Sequence, residues 1–302
     1  MTGKVLILGA SGRFGRHAAE AFWNRGWQVR TFDRRTDLSA AAADVDVIVN
    51  AWNPTYPAWA DEVPRLTKQV IAAARSSGAT VIVPGNVYVF GDDGPAVFDE
   101  NTPHLAKNGL GRVRIEMEAA YRASGVQVIV LRAGDFIDTQ ASGNWFDSVL
   151  TAKIARGSFV APGDLEADHA WAYLPDLARA AALLAEKREQ LDAFEDVPFP
   201  GFTISLAELH RACEQVTGRV LEVRRFPWLA IRAAQVFWPM GRYLLEMRYL
   251  WSKPHRLDGR RLRELLPEFQ GTDPLVALST ALEAHVEPHK PVARGSAHIA
   301  AE

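Results

Sequence analysis

The chain has 302 residues, of which 48% are apolar and 23% are charged. This composition is typical of a folded globular protein and excludes disorder over the whole length. The formal net charge of −2 disfavours a general surface for binding nucleic acid or an anionic membrane, although a basic patch can still form locally. The single cysteine, Cys213, excludes an internal disulfide framework and favours a reducing, cytoplasmic location. No apolar run is long enough to predict a membrane span.

Short β-branched runs alternate with alanine-rich helical stretches through the first half of the chain. The predicted strands are 4–8, 28–32, 45–50, 80–83 and 126–131, and the predicted helices are 13–25, 59–76 and 113–123. Apolar strands separated by helices predict a parallel sheet covered on both faces, which is a doubly wound α/β fold. The stretch 33–46 is too short for a full helical crossover, so we predict a truncated element there.

The second half is less regular. Residues 175–189 have an amphipathic pattern with a proline at the start, which predicts a helix. Ser205 and Glu208 have the spacing of a capping box for a helix over 205–217, and Gly218 ends it. A strand is predicted at 220–225, with helices at 259–266 and 273–285. The stretch 287–302 has few large apolar residues and is predicted to be a disordered tail.

A glycine pattern lies between the first predicted strand and the first predicted helix. Gly9 permits a tight turn, Gly12 lets backbone N–H groups approach a pyrophosphate, and Gly15 lets the helix pack close to the strand. A helix N-terminus also offers free donors and a positive dipole end to phosphates. We therefore predict a dinucleotide site at this loop. Its other predicted members are Ser11, Arg13 and Phe14.

The end of the second predicted strand carries further candidate cofactor ligands. Asp33 lies 24 residues after Gly9, close to the spacing of a carboxylate that binds the adenosine ribose hydroxyls. Arg34 and Arg35 follow it, and guanidinium groups match the geometry of a 2′-phosphate. The alternative is a solvated cluster of charges in a turn. We predict a nicotinamide dinucleotide as cofactor, with NADP(H) favoured over NAD(H).

Four later segments follow the glycine loop in a familiar order: DVIVNA (46–51), VYVFG (87–91), LRAGDF (131–136) and HAWAYLPDLA (169–178). Together they resemble the short-chain dehydrogenase/reductase superfamily, in its extended and atypical branches, which include proteins described as NAD-dependent epimerase/dehydratase-like. The resemblance spans about residues 4–285 and implies a Rossmann fold with a smaller C-terminal substrate domain. It also implies that Asn50 and Ala51, at the end of the fourth-strand motif, lie beside the adenosine and ribose.

The chain departs from the superfamily at the catalytic positions. Active members carry Tyr-x-x-x-Lys on one helix face, where the phenol transfers the proton and the lysine lowers its pKa and holds the ribose. Here the lysine position falls on Arg114, the tyrosine position on Leu110 and the serine position on Asn86. Leu110 has no proton to give. The resemblance therefore implies a site without its usual acid/base group.

We predict Asn86, Tyr88 and Arg114 as the catalytic residues. Tyr88 follows a strand at the carboxyl edge of the sheet and is the first candidate for the missing proton donor, with Lys107 the second. The alternative for Tyr88 is a buried ring with a satisfied hydroxyl. Asn86 can polarise a carbonyl by donating a hydrogen bond, and Arg114 can hold ribose hydroxyls while staying protonated.

The stretch 226–251 holds an unusual share of the aromatic residues, and Pro227 and Pro239 break it into two short predicted helices. Its rings either form the core of the smaller domain or line an apolar pocket over the nicotinamide. Nearby, His169 either contacts substrate or makes a structural hydrogen bond. We predict no metal site, since His210 and Cys213 offer two ligands where zinc needs three or four.

The predicted dinucleotide-binding domain is 1–132, to which about 168–190 returns, and the predicted substrate domain comprises 133–167 and 191–286. We predict an NAD(P)-dependent oxidoreductase or epimerase that exchanges hydride with a small, possibly apolar, carbonyl or hydroxyl substrate, as a monomer or homodimer. The competing prediction is a non-catalytic dinucleotide-binding sensor or assembly protein, because the usual tyrosine is Leu110. Neither prediction involves nucleic acid.

Overall fold

The computed structural model describes residues 3–283. Its strands are β1 (Lys4–Leu8), β2 (Gln28–Thr31), β3 (Val47–Asn50), β4 (Thr80–Asn86), β5 (Val97–Phe98), β6 (Val128–Ala133), β7 (Asp135–Ile137), β8 (Ser158–Ala161), β9 (Asp168–Tyr173), β10 (Phe194–Pro198), β11 (Phe202–Ser205), β12 (Glu222–Arg225) and β13 (Arg256–Leu257). Its α-helices are α1 (Arg13–Asn24), α2 (Leu38–Ala41), α3 (Trp59–Ser77), α4 (Gly109–Arg122), α5 (Leu174–Glu186), α6 (Leu206–Thr217), α7 (Trp228–Ala234), α8 (Met240–Glu246), α9 (Arg260–Leu265) and α10 (Pro274–Ala281). Within this part of the chain, no helix is long and apolar enough to span a bilayer. The stretch 287–302, predicted to be a tail, lies outside the described residues.

Six parallel strands form the central sheet, in the order β2-β1-β3-β4-β6-β10. The predicted doubly wound fold is thereby confirmed. The chain leaves β1 towards β2 on one side and later passes to β3 on the other side. Doubly wound folds bind their ligands at such a switch point, beyond the carboxyl ends of the strands.

Helices cover both faces of this sheet. Val5 and Ile7 of β1 face the layer that contains α1 and α5, whereas Leu6 and Leu8 face the layer of α2, α3 and α4. Each of these four side chains is at most 2% exposed. Successive side chains of a strand point to opposite faces, so a strand covered on both sides has to be apolar throughout. This requirement explains why β1 could be read directly from the sequence.

The connection between β2 and β3 is short, as predicted. Its helix α2 has a single turn, Leu38–Ala41, and the side chain of Asp37 accepts a hydrogen bond of 2.8 Å from the backbone N of Ala40. A full helix would cover the carboxyl ends of β2 and β3 on this face. The truncated helix leaves a cavity there instead.

The sixth sheet strand, β10, corrects the predicted domain division. It pairs with β6 at the edge of the central sheet, although its residues fall in the range 191–286 assigned to the substrate domain. The sequence of β10, FEDVP, lacks an apolar run because Glu195 and Asp196 interrupt it. Both carboxylates are nevertheless buried, since Arg261 donates to Glu195 at 2.7 and 2.9 Å and Arg132 pairs with Asp196.

Arg132 of β6 has no exposed side-chain surface and joins three other elements. Its Nη2 donates to Oε2 of Glu118 on α4 at 2.8 Å, its Nε donates to Oδ1 of Asp196 on β10 at 3.2 Å, and its Nη1 donates to the backbone O of Asn86 on β4 at 2.7 Å. Although burial lowers the pKa of Arg132, the two carboxylates raise it more, so the net shift is upward. The guanidinium of Arg132 therefore stays positively charged.

The smaller part of the structure is built on a three-stranded sheet in the order β11-β9-β7, in which β9 is antiparallel to β11 and parallel to β7. Its core includes Phe146, Trp171, Leu209 and Trp251. The predicted capping box of α6 is present, with Ser205 and Glu208 bonded to each other's backbone N–H. The helix predicted at 273–285 begins at Pro274 and ends at Ala281, and residues 284 and 285 lie outside the described part.

The buried ion network predicts a large loss of stability when its cation is removed. Arg132→Met leaves Glu118 and Asp196 buried without the guanidinium that both accept from, so the free energy of unfolding should fall by about 3–5 kcal/mol. Urea denaturation followed by circular dichroism measures this change. Arg30→Met, which removes one exposed partner of Asp44, is the control and should change stability little. Comparable losses in the two variants would contradict the assigned role of Arg132.

Candidate functional site

The glycine loop follows β1 and leads into α1. Gly9 has a φ of +77°, and the backbone N of Gly12 donates to the backbone O of Gly9 at 2.9 Å. A Cβ added at Gly15 would lie only 2.1 Å from that same oxygen, so the helix approaches the loop more closely than any side chain allows. Gly12 gives α1 no side-chain cap, which leaves N–H groups of its first turn available to an anion.

The other predicted members of the loop differ in what they offer. Phe14 is buried in the core, so only its backbone can face a cofactor, while Ser11 is exposed. Arg13 donates to the backbone O of Ser142 at 2.8 Å and of Gly143 at 2.6 Å. These carbonyls fix the guanidinium in place without neutralising it, since they carry no net charge. Arg13 therefore remains a cation with no compensating carboxylate in the glycine loop.

A cavity of about 580 Å³ lies beyond the carboxyl ends of β2 and β3, where α2 is truncated. Arg34 lies 6.0 Å from the ring of Trp52, and both residues line the cavity. Arg35 instead donates from Nε and Nη2 to Oδ2 of Asp33, at 3.0 and 2.6 Å, and this hydrogen bonding lowers the pKa of Asp33. The carboxylate of Asp33 is thus paired, whereas no carboxylate of residues 3–283 forms an ion pair with Arg34.

Asn50 is the last residue of β3, and its side chain is buried. Its Nδ2 donates to the Tyr121 hydroxyl at 2.9 Å, and its Oδ1 accepts at 3.3 Å from the backbone N of Trp52. The side chain therefore forms hydrogen bonds within the protein. Ala51 does lie against the glycine loop, because a Cβ at Gly9 would be 3.1 Å from its carbonyl oxygen.

Two tyrosines meet at the carboxyl edge of the sheet. Tyr56 lies in the turn after β3, Tyr88 lies in the turn after the neighbouring strand β4, and their hydroxyl oxygens are 2.6 Å apart. Burial raises the pKa of Tyr88 well above its ordinary value, and the neighbouring Tyr56 and Asp135 raise it further. Burial also raises the pKa of Tyr56, although its hydrogen bond with Tyr88 opposes this shift. Both phenols therefore hold their protons at neutral pH.

Arg114 lies next to this tyrosine pair. Its guanidinium stacks 4.3 Å over the ring of Trp59, and the rings of Tyr56 and Tyr88 lie 5.1 and 6.1 Å from that same ring. Its Nη2 donates to Oδ1 of Asn53 at 3.0 Å, whereas its buried Nε has no partner among residues 3–283. Burial lowers the pKa of Arg114, but a guanidinium stays protonated in a protein. The site therefore holds a buried cation with a spare N–H.

Asn86, at the end of β4, helps to hold the turn that contains Tyr88. Its Oδ1 accepts a hydrogen bond of 3.1 Å from the backbone N of Tyr88, and Arg132 holds its backbone O. Its Nδ2 donates to no group within the described residues, so it is available to a ligand. The structure thus brings together all three residues predicted to be catalytic: Asn86, Tyr88 and Arg114.

An aspartate–histidine pair, Asp135 and His169, faces the tyrosine pair from the smaller sheet. Oδ2 of Asp135 and Nε2 of His169 are 2.8 Å apart, and His169 stacks on Trp251 with ring centroids 4.4 Å apart and planes inclined by 6°. His169 therefore makes the structural hydrogen bond that was one of its two predicted roles. Asp135 is close enough to both phenols to raise their pKa values.

Leu110 and Lys107 lie outside the group of polar side chains around Tyr88. Leu110 is 2% exposed, and its backbone N donates to Oε1 of Glu246 on α8 at 2.6 Å. The Lys107 side chain is 81% exposed and pairs with Asp93 at 2.6 Å, so it is not among the buried groups around Tyr88. The roof of the site is α8, since the ring of Tyr243 lies 6.3 Å from that of Tyr56.

A family model described as the NAD dependent epimerase/dehydratase family matches residues 5–197. The chain belongs to this family. No curated protein matches the chain.

Solved structures with the same fold extend over nearly the whole chain. MoeE5 in complex with UDP-glucose and NAD is 17% identical, with 93% of this chain and 98% of that chain covered and a TM-score of 0.73. The human epimerase family protein SDR39U1 with NADPH is 17% identical, with coverage of 93% and 98% and a TM-score of 0.70. A putative epimerase from Burkholderia cenocepacia is 18% identical, with coverage of 93% and 97% and a TM-score of 0.74.

Sequence reasoning on this epimerase/dehydratase-family chain missed Tyr56 and did not single out Asp135. Both follow strand ends, Tyr56 six residues after Asn50 of β3 and Asp135 two residues after Ala133 of β6. The available signal was topological, because β3 and β4 are adjacent in the sheet and the residues that follow them meet at one edge. Tyr56 and Tyr88 are 32 residues apart in the sequence and become neighbours only in the folded sheet.

His255 is a buried histidine next to the Asp135–His169 pair. Its ring is 4.6 Å from that of His169, its Nδ1 donates to the backbone O of Lys253 at 2.9 Å, and its buried Nε2 has no partner in the described part of the chain. Burial, together with the neighbouring His169, lowers the pKa of His255 to about 3. The folded protein therefore holds this imidazole neutral.

Acid should destabilise the fold through His255. The unfolded chain binds a proton at this side chain below about pH 6.5 and the folded chain only near pH 3, so stability should fall as the pH drops through this window, by about 1.4 kcal/mol per unit at most. His255→Asn keeps a donor for the Lys253 carbonyl and removes the titration. Urea denaturation between pH 4 and 7 should show a smaller pH slope for this variant than for the wild type. Equal slopes would contradict this assignment.

Proposed function

We propose that this protein is an NAD(P)-dependent oxidoreductase or epimerase that acts on a small carbonyl or hydroxyl compound. The observation that carries this proposal is the hydrogen-bonded pair of Tyr56 and Tyr88, with Arg114 beside it, at the carboxyl edge of a doubly wound sheet. Membership of the epimerase/dehydratase family supports it. MoeE5 and SDR39U1, which share the fold, bind NAD and NADPH.

The residues present fit a nicotinamide dinucleotide. The glycine loop would take the pyrophosphate, because Gly15 holds the uncapped N-terminus of α1 against Gly9. The cavity beside Trp52 would take the adenosine, and the guanidinium of Arg114 would hold a ribose hydroxyl. When bound, this group supplies hydride transfer.

The proton chemistry falls to this chain's own residues. Tyr88 carries its proton at neutral pH and would donate it to a substrate oxygen, while the free Nδ2 of Asn86 would donate a hydrogen bond to the same oxygen. The hydroxyl of Tyr56, 2.6 Å away, would then stabilise the phenolate, and the Arg114 cation would offset its charge. The raised pKa keeps Tyr88 protonated at neutral pH, so in the resting protein it faces the substrate as an acid and not as a base.

Loss of the phenol hydroxyl should abolish most turnover. Tyr88→Phe should reduce the rate of NADPH oxidation with a panel of aldehydes and ketones by on the order of 100-fold, with dinucleotide affinity nearly unchanged. Absorbance of the reduced nicotinamide follows the reaction, and calorimetry gives the affinity. Tyr121→Phe, which removes a buried hydroxyl that bonds Asn50 outside the pair, is the matched control and should keep its turnover. Unchanged turnover in Tyr88→Phe would eliminate Tyr88 as the proton donor.

We propose NADP(H) as the preferred cofactor. A 2′-phosphate next to Asp33 would be repelled by a free carboxylate, but Arg35 already pairs with this one. Arg34 lines the adjacent cavity and has no ion pair within residues 3–283, so its guanidinium is available to the phosphate. These two arginines have different roles, in contrast to the joint grip considered from the sequence.

Removing the Arg34 guanidinium should therefore discriminate between the two cofactors. Arg34→Ala should weaken NADP binding by about 1–3 kcal/mol, the usual loss for a hydrogen bond to a charged group, and leave NAD binding nearly unchanged. Arg65→Ala, which removes another arginine that lines the cavity, is the control. Calorimetry with each dinucleotide gives the affinities. Tighter binding of NAD than of NADP by the wild type would overturn the proposed preference.

We further propose that the substrate is largely apolar or flat. The roof over the tyrosine pair is contributed by α8, where Tyr243 faces Tyr56. Pockets of this kind are mostly hydrophobic, with few polar groups that fix orientation. Phe226, Trp228 and Trp251 pack around Trp145 in the smaller core, so only part of the aromatic stretch serves this roof.

A second candidate function is a non-catalytic dinucleotide-binding protein. The observation that favours it is Leu110, which is buried at the position where active superfamily members carry the tyrosine. The turnover screen separates the two functions, because only an enzyme changes the nicotinamide absorbance in a substrate-dependent way. Tight NADP binding without turnover across the panel would favour the second function.

A further inference from the structure

Helices α7 and α8 form a hairpin, here called the α7–α8 hairpin and comprising residues 228–246. The two helices pack closely, since a Cβ added at Gly241 would lie 3.1 Å from Cα of Gln235. Trp228 anchors the hairpin to the smaller core, where its Nε1 donates to the backbone O of Pro162 at 2.6 Å. At its other end, Tyr243 contacts Tyr56 in the candidate site.

The outer side of this hairpin exposes large apolar side chains. Leu229 is 84% exposed, Val236 75%, Phe237 93% and Trp238 44%. They lie within ten consecutive residues, and Val236, Phe237 and Trp238 are adjacent in the turn between α7 and α8. These four side chains are here called the patch. A concentrated apolar patch of this kind marks an interaction site in a soluble protein.

The exposed charges of the hairpin are basic, since its one carboxylate, Glu246, bonds the backbone N of Leu110. Residues 223–245 contain Arg224, Arg225, Arg232 and Arg242 and no aspartate or glutamate, although the whole chain has a net charge of −2. Arg232 and Arg242 precede and follow the apolar tip at Phe237. Among residues 3–283, neither of these two arginines forms an ion pair with a carboxylate. The apolar patch is therefore flanked by cations.

The combination of apolar side chains with arginines argues against a second copy of this chain as the partner of the patch. In a symmetric dimer the same patch faces itself, so Arg232 and Arg242 of both copies would meet without a carboxylate to compensate them. An anionic lipid surface meets both requirements, because its headgroup phosphates pair with the guanidinium groups and its acyl boundary accepts Phe, Trp and Leu side chains.

We propose that the α7–α8 hairpin docks this protein on anionic lipid surfaces, with Phe237 and Trp238 in the acyl boundary and Arg232 and Arg242 at the phosphates. The proposal does not rest on the proposed function. Docking would place the proposed activity at the lipid surface, because the same hairpin covers the Tyr56–Tyr88 pair through Tyr243. A largely apolar substrate dissolved in lipid would meet the protein at this face.

Vesicle sedimentation with the full-length protein tests the proposal. The wild type should sediment with vesicles that mix phosphatidylcholine and phosphatidylglycerol, bind pure phosphatidylcholine vesicles on the order of 10-fold more weakly, and detach as salt is raised. The double variant Phe237→Ser/Trp238→Ser should lose sedimentation, and Arg232→Gln/Arg242→Gln should lose the preference for the anionic lipid. Trp23→Ser, at an exposed tryptophan on α1 (69% exposed), is the matched control and should bind like the wild type.

Three results would overturn the proposal: no sedimentation of the wild type with either vesicle, unchanged sedimentation of the Phe237→Ser/Trp238→Ser variant, or equal loss in Trp23→Ser. Thermal melting shows that each variant is folded. Sedimentation velocity of the wild type without lipid distinguishes self-association, since a dimer that the Phe237→Ser/Trp238→Ser change converts to a monomer, without vesicle binding, assigns the patch to a second copy. Turnover of water-soluble substrates is measured on the same variants, so a failure of docking is distinguishable from a failure of the proposed function.

Discussion

The arrangement of the candidate site depends on one buried cation. Arg132 lies in the sheet with no exposed side-chain surface, and its hydrogen bonds join β4, β6, β10 and α4. One of them holds the backbone O of Asn86, whose side chain in turn accepts from the backbone N of Tyr88. The turn that presents Tyr88 is therefore fixed from beneath by an ionic network, and α4, which carries Arg114, is fixed by the same cation through Glu118.

The network also explains a cluster that could otherwise be taken for a metal centre. His104, Glu118 and Asp196 offer ligand atoms within 4.8 Å of one another. Arg132 donates to both carboxylates, so the chain already supplies the positive charge that these buried groups require. Taking a second cation would require Arg132 to leave, at the cost of a buried guanidinium without partners.

The elements that could be predicted are those whose requirements are local. An uninterrupted apolar run specified β1, three glycines specified the loop, and Ser205 with Glu208 specified the start of α6. β10 was missed because its acidic residues are buried only by arginines from distant parts of the chain. Likewise, α4 begins four residues before its predicted start, because the Asn108 side chain caps a first turn that contains two glycines. Asn50 and Tyr56 show the same limit at the site, since their partners Tyr121 and Tyr88 are neighbours only in the folded sheet.

The contact between Glu246 and the backbone N of Leu110 has a mechanical consequence. This carboxylate, at the last residue of α8, bonds the first turn of α4 at 2.6 Å, one helical turn before Arg114. A hydrogen bond to a charged acceptor at a helix N-terminus is a strong one. The first turn of α4 and the end of α8 therefore move together unless this bond breaks. The backbone of Leu110 thus connects α8, which covers the site, to α4, the helix that carries the buried cation.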